Sequence, residues 1–236
     1  MTLPGFKGGK PVLSIIIPTL NEAANLFTCV ADLQKDAPDV AYEIIISDGA
    51  SDDATLEEAH AIGCQVVRTL RGRGLQLAAG ATEARGDWLL FLHADTSLDP
   101  GWWGAVKEFM DNPNNLYKAA AFRFKLDDDD WAASILEALV HFRSKVLSLP
   151  FGDQGLLISR HFYHDIGGYM PIVLMEDVDM VRRIGGKSIH HFDIDAVTSS
   201  DRYRRDGYMF RPLRNLLCLT LYFLGVPTRL IHKLYG

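Results

Sequence analysis

Cysteine is scarce in this chain of 236 residues. Cys29, Cys64 and Cys218 are scattered, odd in number and nowhere spaced as CxxC. The pattern argues against a disulfide framework or a zinc site and reads as buried thiols in a reducing compartment. Positive charge is also in deficit. Lys and Arg total 24 against 30 Asp and Glu, a net charge of −6 with His neutral, which speaks against a nucleic-acid-binding surface. No run reaches the roughly 18–20 apolar residues of a membrane span; the nearest, LLCLTLYFLGV at 216–226, is too short. The opening MTLPGFKGGKP lacks the apolar core of a secretory signal. There is no internal repeat, and no GxGxxG follows the first predicted strand, which disfavours a Rossmann dehydrogenase. These absences leave a cytoplasmic globular protein, with peripheral attachment at the inner membrane face still open.

What is present is a βα rhythm. Val12 to Pro18 (VLSIIIP) is a short β-branched run suited to a strand buried on both faces. Thr19-Leu20-Asn21-Glu22 fits a capping box, and Leu26, Val30 and Leu33 follow at helical spacing. Tyr42 to Ser47 predicts a second strand, and Ser51 or Asp52 can cap a helix reaching about Ile62. Gln65–Arg68 is a third strand, Leu75–Glu83 a helix, and Trp88–Leu92 a fourth strand ending in His93-Ala94-Asp95. Such alternation implies a parallel sheet with helices on both faces. Beyond it, strands are expected at Lys118–Leu126, Gly155–Ser159, Ser188–Phe192 and Ala196–Ser200, and helices at Trp131–Leu147, Glu176–Ile184 and Pro212–Leu224. The expected fold is a single α/β domain with a mainly parallel, mixed central sheet.

Ligands of open α/β sheets bind beyond the carboxyl ends of the strands. Four polar clusters fall there: Thr19–Glu22, Asp48–Asp53, Arg71–Gly74 and His93–Asp95. Each alone could be a cap, a turn, an exposed loop or a satisfied strand end; their coincidence points to a nucleotide diphosphate. Asp48 can accept from a base imide. The backbone at Gly72 and Gly74 can approach phosphates, with Arg71 or Arg73 adding charge. His93 and Asp95, two apart on an extended strand end, can flank one ion. Imidazole with carboxylate suits manganese better than magnesium. Asp177 opens a predicted helix whose dipole favours its anion. Trp102 and Trp103 fit core packing better than sugar stacking, and His190 and His191 are read as strand residues.

Four strings, IIIPTLNEAANL, SDGASDDAT, RGRGLQLAAGATEARGDWLLFLHADTSLDPGW and GGYMPIVLMEDVDMVRRI, together resemble family 2 glycosyltransferases, in that family's order, over roughly residues 12 to 200. The resemblance implies a glycosyltransferase A-type fold and inverting transfer from a nucleoside-diphosphate sugar, of uridine or guanosine, to a hydroxyl acceptor with divalent-metal assistance. Carried over by position, Pro18, Thr19 and Glu22 line the nucleoside pocket, Asp48 reads the base and Arg73 lies near the nucleotide. His93-Ala94-Asp95 occupies the slot of the family's DxD motif, with His93 where the first carboxylate stands, so Ala94 falls to the nucleotide and Asp95 with His93 to the metal. Glu176-Asp177 matches the ED motif, making Asp177 the catalytic base and Glu176 its support or an acceptor contact. Asp153 and Gln154 fall on the acceptor side. A short bacterial subgroup of unknown substrate has a Thr-Ser-x-Arg-Arg pattern where this chain reads Thr198-Ser199-Ser200-Asp201-Arg202, so Asp201 departs while Arg202 remains a phosphate or acceptor contact.

The expected organisation is one domain over 1–236: a nucleotide-binding half at about 12–97, an acceptor half at about 98–206 and a helical tail at about 207–236. Two readings stand open for the tail, a helix packed on the core or on a second subunit, and a basic apolar surface resting on a membrane to meet a lipid-linked acceptor. The competing functions are a sugar nucleotidyltransferase, whose Gly-rich signature is replaced here by PTLNE, and a non-catalytic nucleotide-sugar-binding module, against which Asp95 and Asp177 argue.

Overall fold

The apolar runs become the centre of one mixed sheet. In this computed structural model, which describes residues 12–36, 42–147 and 149–235, β1 (Leu13–Thr19), β2 (Tyr42–Asp48), β3 (Gln65–Arg68) and β4 (Trp88–Phe91) run parallel in the order β3-β2-β1-β4. Alternation explains why β4 and the middles of β1 and β2 are apolar on both faces. Ile15, Ile17, Ile46 and Leu90 face one core, while Ile16, Ile45, Leu89 and Phe91 face a second core on the other side. The reading of MTLPGFKGGKP falls outside the described residues.

Helices connect the strands: α1 (Ala23–Asp36), α2 (Thr55–Ala61) and α3 (Arg73–Glu83). The third packs unusually close, because a Cβ on Gly80 would lie 2.4 Å from Ile16 Cγ2. The second half adds β5 (Thr96–Leu98), β6 (Ala119–Leu126), β7 (Leu156–Ser159) and β8 (Ile189–Thr198), continuing the sheet as β4-β7-β6-β8-β5. Here β7 is antiparallel to β4 and β6, β8 parallel to β6, and β5 antiparallel to β8. The remaining helices are α4 (Trp102–Asp111), α5 (Trp131–Leu147), α6 (Arg160–Asp165), α7 (Glu176–Ile184), α8 (Asp201–Asp206), α9 (Phe210–Phe223) and α10 (Thr228–Tyr235). Among the described residues no helix is long and apolar enough to cross a membrane.

Several local expectations are corrected. The two strands expected at 188–192 and 196–200 are one, β8, held continuously against β6 across an irregularity near Phe122. Thr19 forms no capping box; its hydroxyl donates to Asp48 instead. The amides at the start of α1 are satisfied from the neighbouring turn, Glu22 N by Thr55 Oγ1 at 2.9 Å and Ala23 N by Asp53 Oδ2 at 3.2 Å. Neither Ser51 nor Asp52 caps α2, where Asp53 accepts from the Thr55 amide. Trp102 and Trp103 are buried edge to face in the core, as their packing reading required.

One buried carboxylate ties the non-ligand end of the sheet. Glu43 on β2 stands opposite Ser14 on β1. It accepts from Ser14 Oγ at 2.6 Å, from the Arg85 amide at 2.6 Å, and from Arg85 Nε and Nη2 at 2.9 and 2.7 Å. Burial alone would raise its carboxyl; the Ser14 hydroxyl and the amide and guanidinium of Arg85 outweigh burial and hold it below the ordinary value. Replacing Glu43 by Ala leaves Ser14 and the Arg85 amide short of an acceptor. We expect a loss of about 2–3 kcal/mol, read as a fall of roughly 5–10 °C in the thermal midpoint. Because the folded carboxyl titrates lower than the unfolded one, its contribution is complete above the ordinary glutamate value and fades as pH falls through that range. The stability gap between the native protein and Glu43→Gln should therefore shrink below about pH 4; a gap that widens in acid would refute the assignment.

Candidate active site

All four parallel strands deliver their carboxyl ends to one edge, and the polar clusters meet there. Thr19 at the end of β1 donates to Asp48 at the end of β2 over 3.1 Å. Asp48 also accepts from the Ser51 amide at 3.0 Å and from the Ser51 hydroxyl. Its carboxylate is fully buried, and three of the four lone-pair sites of a carboxylate are used. Asn21 N bonds to Ser51 Oγ and Asp52 N to Asn21 Oδ1, both at 2.9 Å, so the two turns are latched together. Asn21 and Ala50 hold this latch with φ of 58° and 63°, a left-handed backbone that costs non-glycine residues energy and tends to gather at functional sites.

A cleft of about 110 Å³ opens beside this edge. Its lining includes Arg73 at the start of α3, His93 and Asp95 after β4, Asp153, Glu176 and Asp177 at the start of α7, and Arg202 on α8. His93 and Asp95 do not sit on an extended strand end: β4 stops at Phe91, and the Thr96 amide bonds back to the His93 carbonyl at 3.2 Å in a turn. The turn still brings His93 Nδ1 to 4.0 Å from Asp95 Oδ1. Pairing of Thr96 with Thr198, and of the Ser199 amide with the Asp95 carbonyl at 3.0 Å, fixes it to the end of β8.

Charge is balanced across the cleft by arginines. Arg202 Nη2 lies 3.0 Å from Glu22 Oε1 and 3.3 Å from Asp95 Oδ2, bridging the first turn and the segment after β4. Arg73 Nη1 lies 3.7 Å from Glu176 Oε1. Burial, reinforced by neighbouring Asp177, pushes the Glu176 carboxyl upward although Arg73 opposes it. Burial likewise pushes Asp153 up to about 6 against the pull of Arg143. The His93 imidazole is driven the other way, by burial and then by Arg73, and is neutral at physiological pH.

Gly152 is the contact point between two of these groups. Its amide donates to Asp177 Oδ2 at 3.1 Å. A Cβ built there would lie 2.7 Å from His93 Nε2 and 3.8 Å from Asp177 Oδ2. The start of α7 is set by Met175, a left-handed residue with φ 67°. Its side chain is buried with Val178, Cys218, Leu219 and Ile231, which offsets the backbone strain and turns Glu176 and Asp177 into the cleft.

Not every sequence candidate reaches the cleft. Pro18, Thr19, Asp48 and Ala94 lie behind or beside it on the strand ends, and Glu22 joins it through Arg202. Gln154 is turned inward, accepting from Ser144 at 2.7 Å and donating to the Phe122 carbonyl at 3.0 Å, so the acceptor contact expected of it is not available. Gly74 approaches backbone rather than open space, since a Cβ there would meet the Met170 carbonyl oxygen at 2.4 Å. His190 lies on β8 between Phe109 and Phe192. The sequence reading missed Arg211 and Asn215, which line the cleft from one face of α9; their spacing of four was visible, but not which face of the helix turns inward.

Among the described residues no group of three His, Cys, Asp or Glu could hold an ion. Two donors do fit: a neutral imidazole, and Asp95 Oδ1, which is buried without a hydrogen-bond partner.

Residues 14–171 match the sequence model described as Glycosyl transferase family 2. A PGL/p-HBAD biosynthesis glycosyltransferase from Mycobacterium bovis (strain BCG) is 38% identical over 101 residues, 37% of each chain. The present chain thus spans little more than a third of the length of that curated relative. An uncharacterized glycosyltransferase from Haemophilus influenzae is 29% identical over 182 residues, 75% of this chain and 56% of the other. Glucosyl-3-phosphoglycerate synthase from Mycobacterium tuberculosis, solved with Mn2+, uridine diphosphate and glucosyl-3-phosphoglycerate, superposes with a TM-score of 0.63 at 17% identity, covering 92% of this chain and 81% of that one. A mannosyltransferase from Pyrobaculum calidifontis in complex with GDP-Man and Mn2+ gives 0.64 at 16% identity, covering 87% and 60%. The fold is the glycosyltransferase A-type.

Gly152→Ala should overpack this junction and cost about 1–3 kcal/mol in thermal or denaturant unfolding. Adding His93→Ala should recover much of that loss, because the imidazole is what the methyl strikes. Additive losses in the double variant would show that the two residues do not touch.

Proposed function

The chain belongs to glycosyl transferase family 2, and from that premise we propose that it transfers a sugar from a nucleoside-diphosphate sugar to a hydroxyl acceptor with inversion at the anomeric carbon. The observation that carries the reading is the meeting of Asp177 with His93 at Gly152, in one cleft with Asp95 at the carboxyl edge of the sheet. The proposed organisation is a nucleotide-binding half at about 12–97, an acceptor half at about 98–206 and a helical tail at about 207–236, sharing one sheet.

In this reading Pro18, Thr19, Glu22 and Ala94 shape the nucleoside side, and Asp48 offers its remaining lone pair to a base imide. Arg73 and Arg202 face the diphosphate. Asp177 is the general base: it takes the acceptor hydroxyl proton as that oxygen attacks the anomeric carbon. The bond to the diphosphate breaks on the opposite face, and its electron pair leaves with the diphosphate. The Gly152 amide holds Asp177 Oδ2 in place, leaving Oδ1, which accepts from the adjacent Val178 amide at 2.7 Å, for the proton. Glu176, raised by burial and by Asp177, supports the base next to it. Asp153 faces the acceptor side.

Asp95 and His93 are the residues that would hold a divalent metal, manganese in preference to magnesium because one donor is imidazole. When bound, such an ion supplies positive charge against the departing diphosphate. Two donors make an incomplete cage, so binding should need diphosphate oxygens. The Mn2+ bound in both solved neighbours is consistent with this reading. We read the acceptor as lipid-linked and the site of action as the cytoplasmic face of a membrane, supported by the outward apolar face of α9 beside the cleft.

Asp177→Asn should retain diphosphate binding and lose about 100-fold or more in transfer, the scale for removal of a general base. Unchanged turnover would move the role elsewhere, with Glu176 next. Calorimetry of uridine and guanosine diphosphate should show tighter binding with manganese than with chelator. Equal affinity in both would reject a metal-bridged diphosphate.

A further inference from the structure

Two helices bordering the cleft are apolar on both of their faces. On α5, Ala133, Leu136 and Val140 are buried against Phe124 and Leu126 of β6. The opposite face carries Trp131, Ile135, Leu139, Phe142 and Val146, each more than half exposed. Their spacing of three and four forms a single stripe along the helix. On α9, Cys218 and Leu219 are buried against α7 and α10. The outward face presents Phe210, Leu213, Leu216, Leu217, Phe223 and Leu224, all at least half exposed. The polar residue within that outward face, Thr220, turns its hydroxyl back to the Leu216 carbonyl at 2.8 Å. That is how a hydroxyl is satisfied where water is scarce.

Charge selects the occupant. Residues 207–236 contain no Asp or Glu, in a chain whose net charge is −6; Arg211 and Arg214 pair with Asp206, so the outward cations of the tail are those of α10. Arg229, His232 and Lys233 are exposed on α10, as is Lys145 on α5. Pairing this surface with the same surface of a second copy would set its cations against one another, whereas anionic lipid headgroups complement it. Apolar side chains with cationic flanks on helices too short to span are the composition of an interfacial helix. One helix lines the cleft and the other supports its wall. The inward face of α9 supplies Arg211 and Asn215 to its lining. The end of α5 braces residues 149–154, with Arg143 Nε donating to the Leu149 carbonyl at 3.0 Å and its guanidinium stacked 3.4 Å over the Phe151 ring.

We infer that α5, α9 and α10 form a docking surface for an anionic lipid bilayer and that the acceptor hydroxyl enters the cleft from that bilayer. The inference rests on the transferase reading for what the acceptor does, but not for the surface itself. It extends the contact beyond the C-terminal tail to α5, a helix some sixty residues earlier in the chain.

Vesicles of phosphatidylcholine, with and without phosphatidylglycerol, test it by co-sedimentation. The intact chain should bind the phosphatidylglycerol vesicles at low salt and release as salt rises. Leu213→Ser with Leu217→Ser on α9, and separately Leu139→Ser with Phe142→Ser on α5, should each weaken binding about ten-fold or more. All four side chains are exposed, so circular dichroism should be unchanged. No vesicle binding at low salt would overturn the inference. So would α5 variants that bind like the native chain, or a stable dimer dissociated by the same substitutions, since a second copy would then cover the face. Diphosphate calorimetry on the same samples separates the two readings: vesicle binding without any diphosphate binding would sink the transferase and leave the docking surface standing.

Discussion

Five carboxylates, Glu22, Asp95, Asp153, Glu176 and Asp177, are gathered around one cleft, and the arrangement depends on how their repulsion is managed. Three arginines do this from different parts of the chain. Arg202 on α8 spans Glu22 and Asp95, Arg73 on α3 stands by Glu176, and Arg143 on α5 moderates Asp153. Where the compensation is incomplete the carboxyl titrates high, as at Asp153 and Glu176. Burial, and then Arg73, keep His93 neutral, which is the protonation state a metal donor needs. Burial that would be costly in a structural core is here what tunes each group.

Backbone strain is spent at the same place. Among the described residues the non-glycine positions with positive φ are Asn21, Ala50 and Met175. The first two hold the latch between the turns after β1 and β2. The third sets the entry of α7. Each is fixed by hydrogen bonds or burial around it, so the strain shapes the cleft edge without loosening it.

The C-terminal helices bear on two readings that the sequence presented as rivals. The inward face of α9 packs on Met175 and Val178 and so steadies the start of α7. Its outward face remains apolar. A helix can therefore be structural and interfacial at once, because a cylinder has two sides and the sequence pattern here fills both.

The sequence by itself determined the βα rhythm, the doubly buried strands and the gathering of polar clusters at their carboxyl ends. These follow from local pattern: β-branched runs have one stable home in a parallel sheet, and parallel strands share an end. Pattern could not say which polar groups spend their bonds internally. Gln154 looked free and is consumed by Ser144 and Phe122, while Asp48 is enclosed by Thr19 and Ser51. Nor could it find short elements such as β5 or α8, whose few residues hold no period and are fixed by pairing with distant chain. Only the tertiary structure brought Arg202 to Glu22 across 180 residues, set Gly152 between His93 and Asp177, and turned Arg211 and Asn215 inward. Those contacts join segments far apart in sequence, and their energies appear only once the sheet has closed the loops between them.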